Sequence, residues 1–468
     1  MDVKEGLWPA SPSAQYYNSS VLSVSIMGVM ETEVPIAINH ARTMLLLKDV
    51  FLPINPRFSS IMVMDGKGEK QWKRVEVKLE EHVNVPIFPT GLSPTSYDEY
   101  LEDFISRISM EHFSQNKPLW EIHIVKYPTS NAAGTVIFKL HHALGDGYSL
   151  MGALLSCLQR ADNPSLPLTF PSRQHTESKS NRESSCRRVP KLFSLIFNSV
   201  SDFGFCFLKS TLVEDDRTPI RSGIEGVEHR PIMISNMIFS LDSIKHIKAK
   251  LGVTINDVIT GIIFLGTRLC MQEINYKSSK SHSTALVLLN TRTMSGAYKS
   301  IEEMLEPKSK VPWGNRFSFL HVPMPKFKDD HKSANPLEFV WAANKIIKKK
   351  KSSLGVYITS KLLDIVKKLK GPEAAAKFIH GTIWKSSLSI SNLIGPLEQV
   401  SLDNHPIKGL YYVVLGIPQN LVISIVSYMG SLRVSAVIEK GFLDPQKFKS
   451  CVENAFEIIL KAADEIPN

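Results

Sequence analysis

The chain is predicted to fold as an α/β protein of two domains with mixed sheets, and two observations carry that prediction. At 468 residues, 43% of them hydrophobic, it is long for a single core and apolar enough to bury two. Strand-like and helix-like segments also alternate in both halves, and the alternation restarts after a stretch rich in Ser, Pro and charge over 164–190. The implied parts are an N-terminal domain over 1–163, a linker with an apolar helix over 164–225, and a C-terminal domain over 226–468.

In the first half, residues 21–30 read as a strand and 36–50 as an amphipathic helix. Ser96-x-x-Glu99 has the form of a capping box, opening a helix to about Met110 with Leu101, Phe104, Ile105 and Ile108 on one face. Residues 120–127 and 134–140 read as a pair of hairpin strands, and 148–159 as the next helix. In the second half, 231–240 reads as a strand and 241–251 as a helix that Gly252 ends. Thr254 caps another helix, through Gly261 to about Gln272. Strands are expected over 283–290, 317–323, 387–392, 410–416, 421–428 and 432–438, with a closing helix over 442–463.

At the junction of the hairpin and the helix that follows it lies His141-His142-Ala143-Leu144-Gly145-Asp146-Gly147. An alcohol attacks a thioester poorly until its proton is removed, and imidazole, titrating near neutral pH, can take that proton and return it. Side chains alternate along a strand, so His141 and His142 point to opposite sides and one of them faces a given substrate. Asp146, in the turn, either orients an imidazole or pins the loop through an arginine. Gly147 removes a side chain where backbone and ligand approach closely. Three other readings compete: packed structural histidines, a metal pair, or a site of this kind that is present but inactive. Adjacent strand residues diverge, and no Cys/His cluster with zinc spacing stands elsewhere, which disfavours the metal.

His141-His142-x-x-x-Asp146-Gly147 resembles the signature of the CoA-dependent acyltransferase superfamily. Its surroundings resemble the plant branch of the wax ester synthase/diacylglycerol acyltransferase family. Pro118-Leu119-Trp120-Glu121 stands before the motif as in that family. Asn256-Asp257, Asn290-Thr291-Arg292, Gly314-Asn315 and Ser391-Asn392-Leu393-Ile394-Gly395-Pro396 resemble its later blocks, in order. The resemblance implies two chloramphenicol-acetyltransferase-like domains, with a tunnel at their interface that admits CoA and acceptor from opposite sides. It implies His142 as general base, with His141, Asp146 and Gly147 holding the motif's geometry. It implies acyl-CoA as co-substrate, no cofactor and no metal. The acceptor would be a fatty alcohol or diacylglycerol, met at a membrane surface facing the cytosol, at the endoplasmic reticulum and also the cell membrane. Two rival classes stay open: an acyltransferase of this fold acting on another alcohol, and a non-catalytic lipid-binding protein at a membrane surface.

The later blocks each admit two readings. Asn256-Asp257 is a capped first helical turn, with Asp257 favoured at the positive helix end, or a helix start at which Asn256 places substrate. Arg292 is an ordinary surface arginine or the salt-bridge partner of Asp146. Ser391 and Asn392 either form a turn or donate to a developing oxyanion.

Net charge is +10, and the excess clusters at Lys345, Lys348, Lys349, Lys350 and Lys351, then at Lys361, Lys367, Lys368 and Lys370. These lysines form a solvated helix face, or attract anionic headgroups and the phosphates of CoA. No recognised nucleic-acid module accompanies them, so nucleic acid is not an expected partner. Five scattered cysteines without a CxxC pair suit a reducing compartment, which argues against glycosylation at Asn18-Ser19-Ser20. No secretory signal is read at the N-terminus. The apolar stretch 192–213 contains Asp202 and Lys209, which favours a surface or interfacial helix over a spanning one.

Overall fold

The computed structural model describes the chain apart from residues 1–5, 38–39, 67, 171–202, 294–312, 328–334, 352–354 and 468. The first half contains β1 (Leu7–Pro9), α1 (Pro12–Tyr17), β2 (Ser25–Thr32), α2 (His40–Leu46), β3 (Ser60–Met64), β4 (Lys70–Arg74), β5 (Val83–Asn84), α3 (Pro94–Met110), β6 (Trp120–Val125), β7 (Gly134–His141), α4 (Gly147–Ser156) and β8 (Gln159–Arg160). The second half opens with β9 (Ile232–Ser240), α5 (Leu241–Leu251), α6 (Ile255–Ile274), β10 (Thr284–Asn290) and β11 (Phe317–Pro323). It continues through α7 (Glu338–Lys351), α8 (Gly355–Lys370), α9 (Pro372–Trp384), β12 (Leu388–Ile394), β13 (Val400–Leu402), β14 (His405–Leu415), β15 (Leu421–Tyr428), β16 (Ser431–Glu439) and α10 (Pro445–Asp464).

Two mixed sheets carry the fold. One has the order β5-β6-β7-β2-β14-β13-β8, the other β11-β10-β12-β15-β16-β9, and β1-β4-β3 form a small third sheet. β2 sits in the middle of the first sheet between β7 and β14, with all eight of its residues buried, as a near-continuous apolar run requires. Helix α6 fills the second core. A Cβ on its Gly261 would lie 2.7 Å from the Val340 Cα of α7, and one on Gly266 2.6 Å from the Val452 Cα of α10. Those two glycines let helices pack backbone to backbone on either side of α6.

Two strands cross the domain boundary expected at residue 226. β14 pairs antiparallel with β2, Leu415 opposite Ser25 and Tyr411 opposite Val29, and β13 pairs with β8. The C-terminal half thus completes the N-terminal sheet, and the two halves are interlocked.

Several expectations are corrected at this level. The cap of α3 is Ser93, whose hydroxyl accepts from the Ser96 amide at 3.1 Å, not a box at Ser96-x-x-Glu99. Pro94, which has no N–H to satisfy, takes the first helical position and starts the helix earlier. The segment read as one helix over 36–50 is α2 followed by a widened turn, Leu47–Phe51, and residues 38–39 lie outside the described residues. Lys350 is not on a solvated face: it is buried, its ammonium 4.9 Å from the ring centre of Phe205. The reading against glycosylation at Asn18 needs no correction: Asn18 is buried beside Met62. Most of the expected linker, 171–202, lies outside the described residues, and 203–211 forms a helix. Among the described residues no single helix is long and apolar enough to cross a membrane.

Candidate active site

The active-site turn begins where β7 ends. The His141 amide donates to the Leu119 carbonyl at 3.0 Å and the His142 amide to the Val24 carbonyl at 2.8 Å, so the backbone is held from both flanking segments. Alternation then separates the two rings. His142 lines a cavity of about 440 Å³ between the halves, with Val24 and Ile26 contributed by the first half and Asn256, Ser391 and Ile423 by the second. His141 turns away from it, its Nδ1 accepting from the Ala143 amide at 3.0 Å and its Nε2 3.3 Å from the Ser23 hydroxyl.

The two imidazoles are electrostatically distinct as well. Burial, aided by the neighbouring His142 and lysines, pushes His141 down to about 3, so it stays neutral and structural. Burial also lowers His142, while the Asp146 carboxylate and Asn315 pull it partly back. The His142 ring forms a three-ring cluster with Tyr17, at 4.6 Å between centroids, and Phe317, at 5.4 Å. The Asn315 side-chain amide donates to the His142 carbonyl at 2.9 Å. In its neutral form His142 is a base at a cavity wall, fixed by sequence-distant neighbours.

Asp146 serves the loop rather than the ring. It caps α4, its Oδ1 accepting from the Ser149 amide at 3.0 Å. Arg292 meets it through both guanidinium nitrogens, at 2.7 and 3.1 Å, and also donates to the Gly314 carbonyl at 2.7 Å. The Arg316 amide adds a further bond to Asp146 at 2.9 Å. Of the two readings of Arg292, the partner of Asp146 is therefore the right one, and it pins the loop across the two halves. Arg57 and Trp313 both donate to the Leu144 carbonyl, at 2.9 and 2.7 Å, clamping the same turn. A Cβ on Gly147 would come within 3.2 Å of Leu393, so glycine keeps the turn close to the cavity wall.

The other expected residues divide. Asn256, Ser391 and Asn392 line the cavity with His142, and the Asn392 amide donates to Asn256. The Ser391 hydroxyl accepts from Tyr412 at 2.8 Å. Asp257 does not line it: it forms a capping box with Thr254 and receives the Asn344 amide at 2.8 Å. Tyr17, Arg57, Asn315 and Tyr412 were given no role from sequence. Gly314-Asn315 did stand among the family-like blocks, a pointer without a role attached; the others carry no local pattern.

Comparison with known proteins gives this constellation its context. Residues 52–259 match the model of the wax ester synthase/diacylglycerol acyltransferase catalytic domain, and 313–460 that of the WS/DGAT C-terminal domain. Wax ester synthase/diacylglycerol acyltransferase 11 of Arabidopsis thaliana is 30% identical, covering 98% of this chain and 95% of its own. Wax ester synthase/diacylglycerol acyltransferase 4 of the same plant is 29% identical over 95% of this chain and 88% of its own. The wax ester synthase/diacylglycerol acyltransferase of Marinobacter aquaeolei VT8 shares the fold, with a TM-score of 0.60 and 15% identity over 98% of this chain and 100% of that one. A starter condensation domain of rhizomide synthetase shares it at a TM-score of 0.55 and 11% identity, over 98% and 91%. The two chloramphenicol-acetyltransferase-like halves expected from the motif are thus present, and the chain belongs to the wax ester synthase/diacylglycerol acyltransferase family.

Proposed function

We propose that the protein transfers a long-chain acyl group from acyl-CoA to the hydroxyl of a long-chain fatty alcohol, forming a wax ester. Diacylglycerol is its second acceptor, giving triacylglycerol. The observation that carries this reading is His142, a buried base facing a cavity between the halves. Its lowered proton affinity keeps the imidazole neutral, hence able to accept a proton, near neutral pH. His142 removes the acceptor's hydroxyl proton as the oxygen attacks the thioester carbon. The tetrahedral intermediate collapses, the C–S bond breaks, and the CoA sulfur leaves with that proton. Acyl-CoA is a co-substrate in this scheme, and neither a cofactor nor a metal takes part.

Other features support the substrate class. The wall is largely apolar, with Ile259, Leu289, Phe319, Ile390 and Ile425 among its residues, and suits alkyl chains. Lys351, at the end of α7, reaches that wall, where its charge suits the phosphates of CoA. Association with a membrane on its cytosolic side, at the endoplasmic reticulum and the cell membrane, belongs to the same proposal. It is supported by exposed Lys348 and Lys349 on α7, and by exposed Lys368 next in the chain to Leu369, which is 78% exposed.

The test is CoA release from palmitoyl-CoA with hexadecanol or diacylglycerol in parallel, beside His142→Ala. Hexadecanol-dependent release that disappears in the variant is the expected result. Diacylglycerol dependence alone would reverse the order of acceptors. Folded protein that releases CoA with neither would point to another alcohol or to a binding role.

A further inference from the structure

The proposed reaction leaves one need unassigned: a donor for the negative charge that builds on the thioester oxygen. Asn392 donates one amide proton to Asn256 and Ser391 accepts from Tyr412, so both side chains are tethered to neighbours in the second half while each keeps a proton to give. Tyr17 is placed differently. It ends α1, in the first half of the chain, and its ring meets His142 at 4.6 Å and stacks with Phe317 at 6.0 Å. It is 4% exposed, yet its side chain forms part of the cavity wall. Among the described residues no carbonyl or side chain engages its hydroxyl, whereas the equally buried Tyr412 and Tyr428 each have a partner, Ser391 Oγ and the Ile407 carbonyl. A buried phenol ordinarily finds one.

We propose that the Tyr17 hydroxyl is the hydrogen-bond donor that stabilises the oxyanion in the acyl transfer, which makes Tyr17 a further catalytic residue. The inference rests on the acyl-transfer reading of the site. As the acceptor oxygen bonds to the thioester carbon, the carbonyl π pair moves onto oxygen, and the acceptor's proton passes to His142. The Tyr17 O–H donates to that oxygen without transferring its proton. When the carbonyl re-forms, the C–S electron pair leaves with sulfur, which takes the proton from His142. Tyr17 ends the cycle as it began. Burial, with Tyr16 and the Asp146 carboxylate nearby, holds the phenol far above its usual ionisation range, so it remains a donor at every working pH.

The test compares wild type with Tyr17→Phe, which keeps the ring against His142 and removes only the hydroxyl. Loss of one oxyanion donor is expected to lower kcat about 10²–10³-fold. KM for palmitoyl-CoA and the acidic limb of the pH profile should stay in place. An unchanged kcat would overturn the proposal, and so would a fall in kcat accompanied by a shifted acidic limb, which would mean that Tyr17 acts through His142. Two binding measurements by calorimetry stand apart from turnover. A trifluoromethyl-ketone analogue of palmitoyl-CoA, which takes up the tetrahedral geometry, should bind Tyr17→Phe at least tenfold more weakly. The S-hexadecyl thioether of CoA, which lacks the carbonyl, should bind both proteins alike. Equal binding of the ketone would overturn the role of Tyr17. A wild type that binds the ketone with the expected Tyr17 dependence, but turns over neither hexadecanol nor diacylglycerol, would instead correct the acceptor assignment.

Discussion

Arg292 grips Asp146 through both carboxylate oxygens, and the two residues come from opposite halves of the chain. Both side chains are buried, at 1% and 5% exposure, and Arg292 also reaches the Ser149 hydroxyl and the Gly314 carbonyl. The pair therefore does two things at once. It fixes the turn that carries His142, and it fastens the β10 end of the second sheet to the first.

Arg292→Ala is expected to lower both stability and activity. Removing one partner of a buried pair strands the other charge, at about 3–5 kcal/mol. The thermal midpoint should fall accordingly, and kcat should fall at least a hundredfold at a temperature where the variant remains folded. Arg292→Lys restores the charge but not the planar fork, and should recover stability only in part. Scanning calorimetry beside CoA release checks both; a variant with wild-type melting and turnover would refute the clamp.

The pH dependence should report His142. Its proton affinity is lowered by burial, more than Asp146 and Asn315 restore it, so the protonated, inactive form appears only in acid. kcat/KM should rise with pH and reach its plateau through a midpoint below the ordinary imidazole value of about 6.5. Asn and Gln at position 142 should remove turnover with the protein still folded. A midpoint well above 6.5 would mean that the controlling group lies elsewhere.

Local signals were the ones that sequence could read. α5 and its stop at Gly252 follow from apolar spacing and a left-handed cap, and β11 and β15 from unbroken β-forming runs. The divergence of His141 and His142 follows from strand alternation alone. The destination of β14 could not be read that way, because the run over 410–416 says strand and not which partner; its pairing with β2 is a contact across nearly 400 residues. The polar strand β4, Lys-Gln-Trp-Lys-Arg, gave little hydrophobic signal, since only Trp72 in it is buried. At the site, Arg292 was legible because it stands in the family-like block Asn290-Thr291-Arg292. Asn315 stood in a family-like block but with no role attached, and Tyr17 reaches the cavity from the end of α1 with no local pattern to announce it.

Asn315 offers a test of how strictly the base must be held. Its amide donates to the His142 carbonyl from the segment that also carries Arg316 and Gly314, both engaged with the Asp146 network. Asn315→Ala should leave the fold intact and lower kcat about tenfold, since the base loses an anchor but keeps Tyr17 and Phe317 around it. Asn315→Asp has nearly the same shape and no donor, so it should do at least as much damage. Kinetics of the two variants, with circular dichroism for folding, decide the matter; full activity in both would show that the backbone bonds alone position His142.

His123 connects acid sensitivity to a single buried ring. It is 3% exposed, neither ring nitrogen has a hydrogen-bond partner, and Phe104 packs edge-on at 5.5 Å. Burial, with Lys139, Arg107 and Lys117 nearby, pushes it down to about 4. Between that value and about 6.5 the unfolded chain binds a proton that the folded chain refuses, so stability is full above about pH 6.5 and declines as pH falls toward 4. His123→Phe replaces the orphaned imidazole with a ring of similar shape and removes that proton-linked loss. The variant should melt higher than wild type at every pH, with an advantage that grows by up to about 3 kcal/mol between neutral pH and pH 4. Melting curves from pH 8 to pH 4 would show it as two lines that converge toward neutral pH and part toward acid. Parallel lines would mean that the folded protein protonates His123 as readily as the unfolded chain does, and that the acid sensitivity lies in His141 and His142 instead.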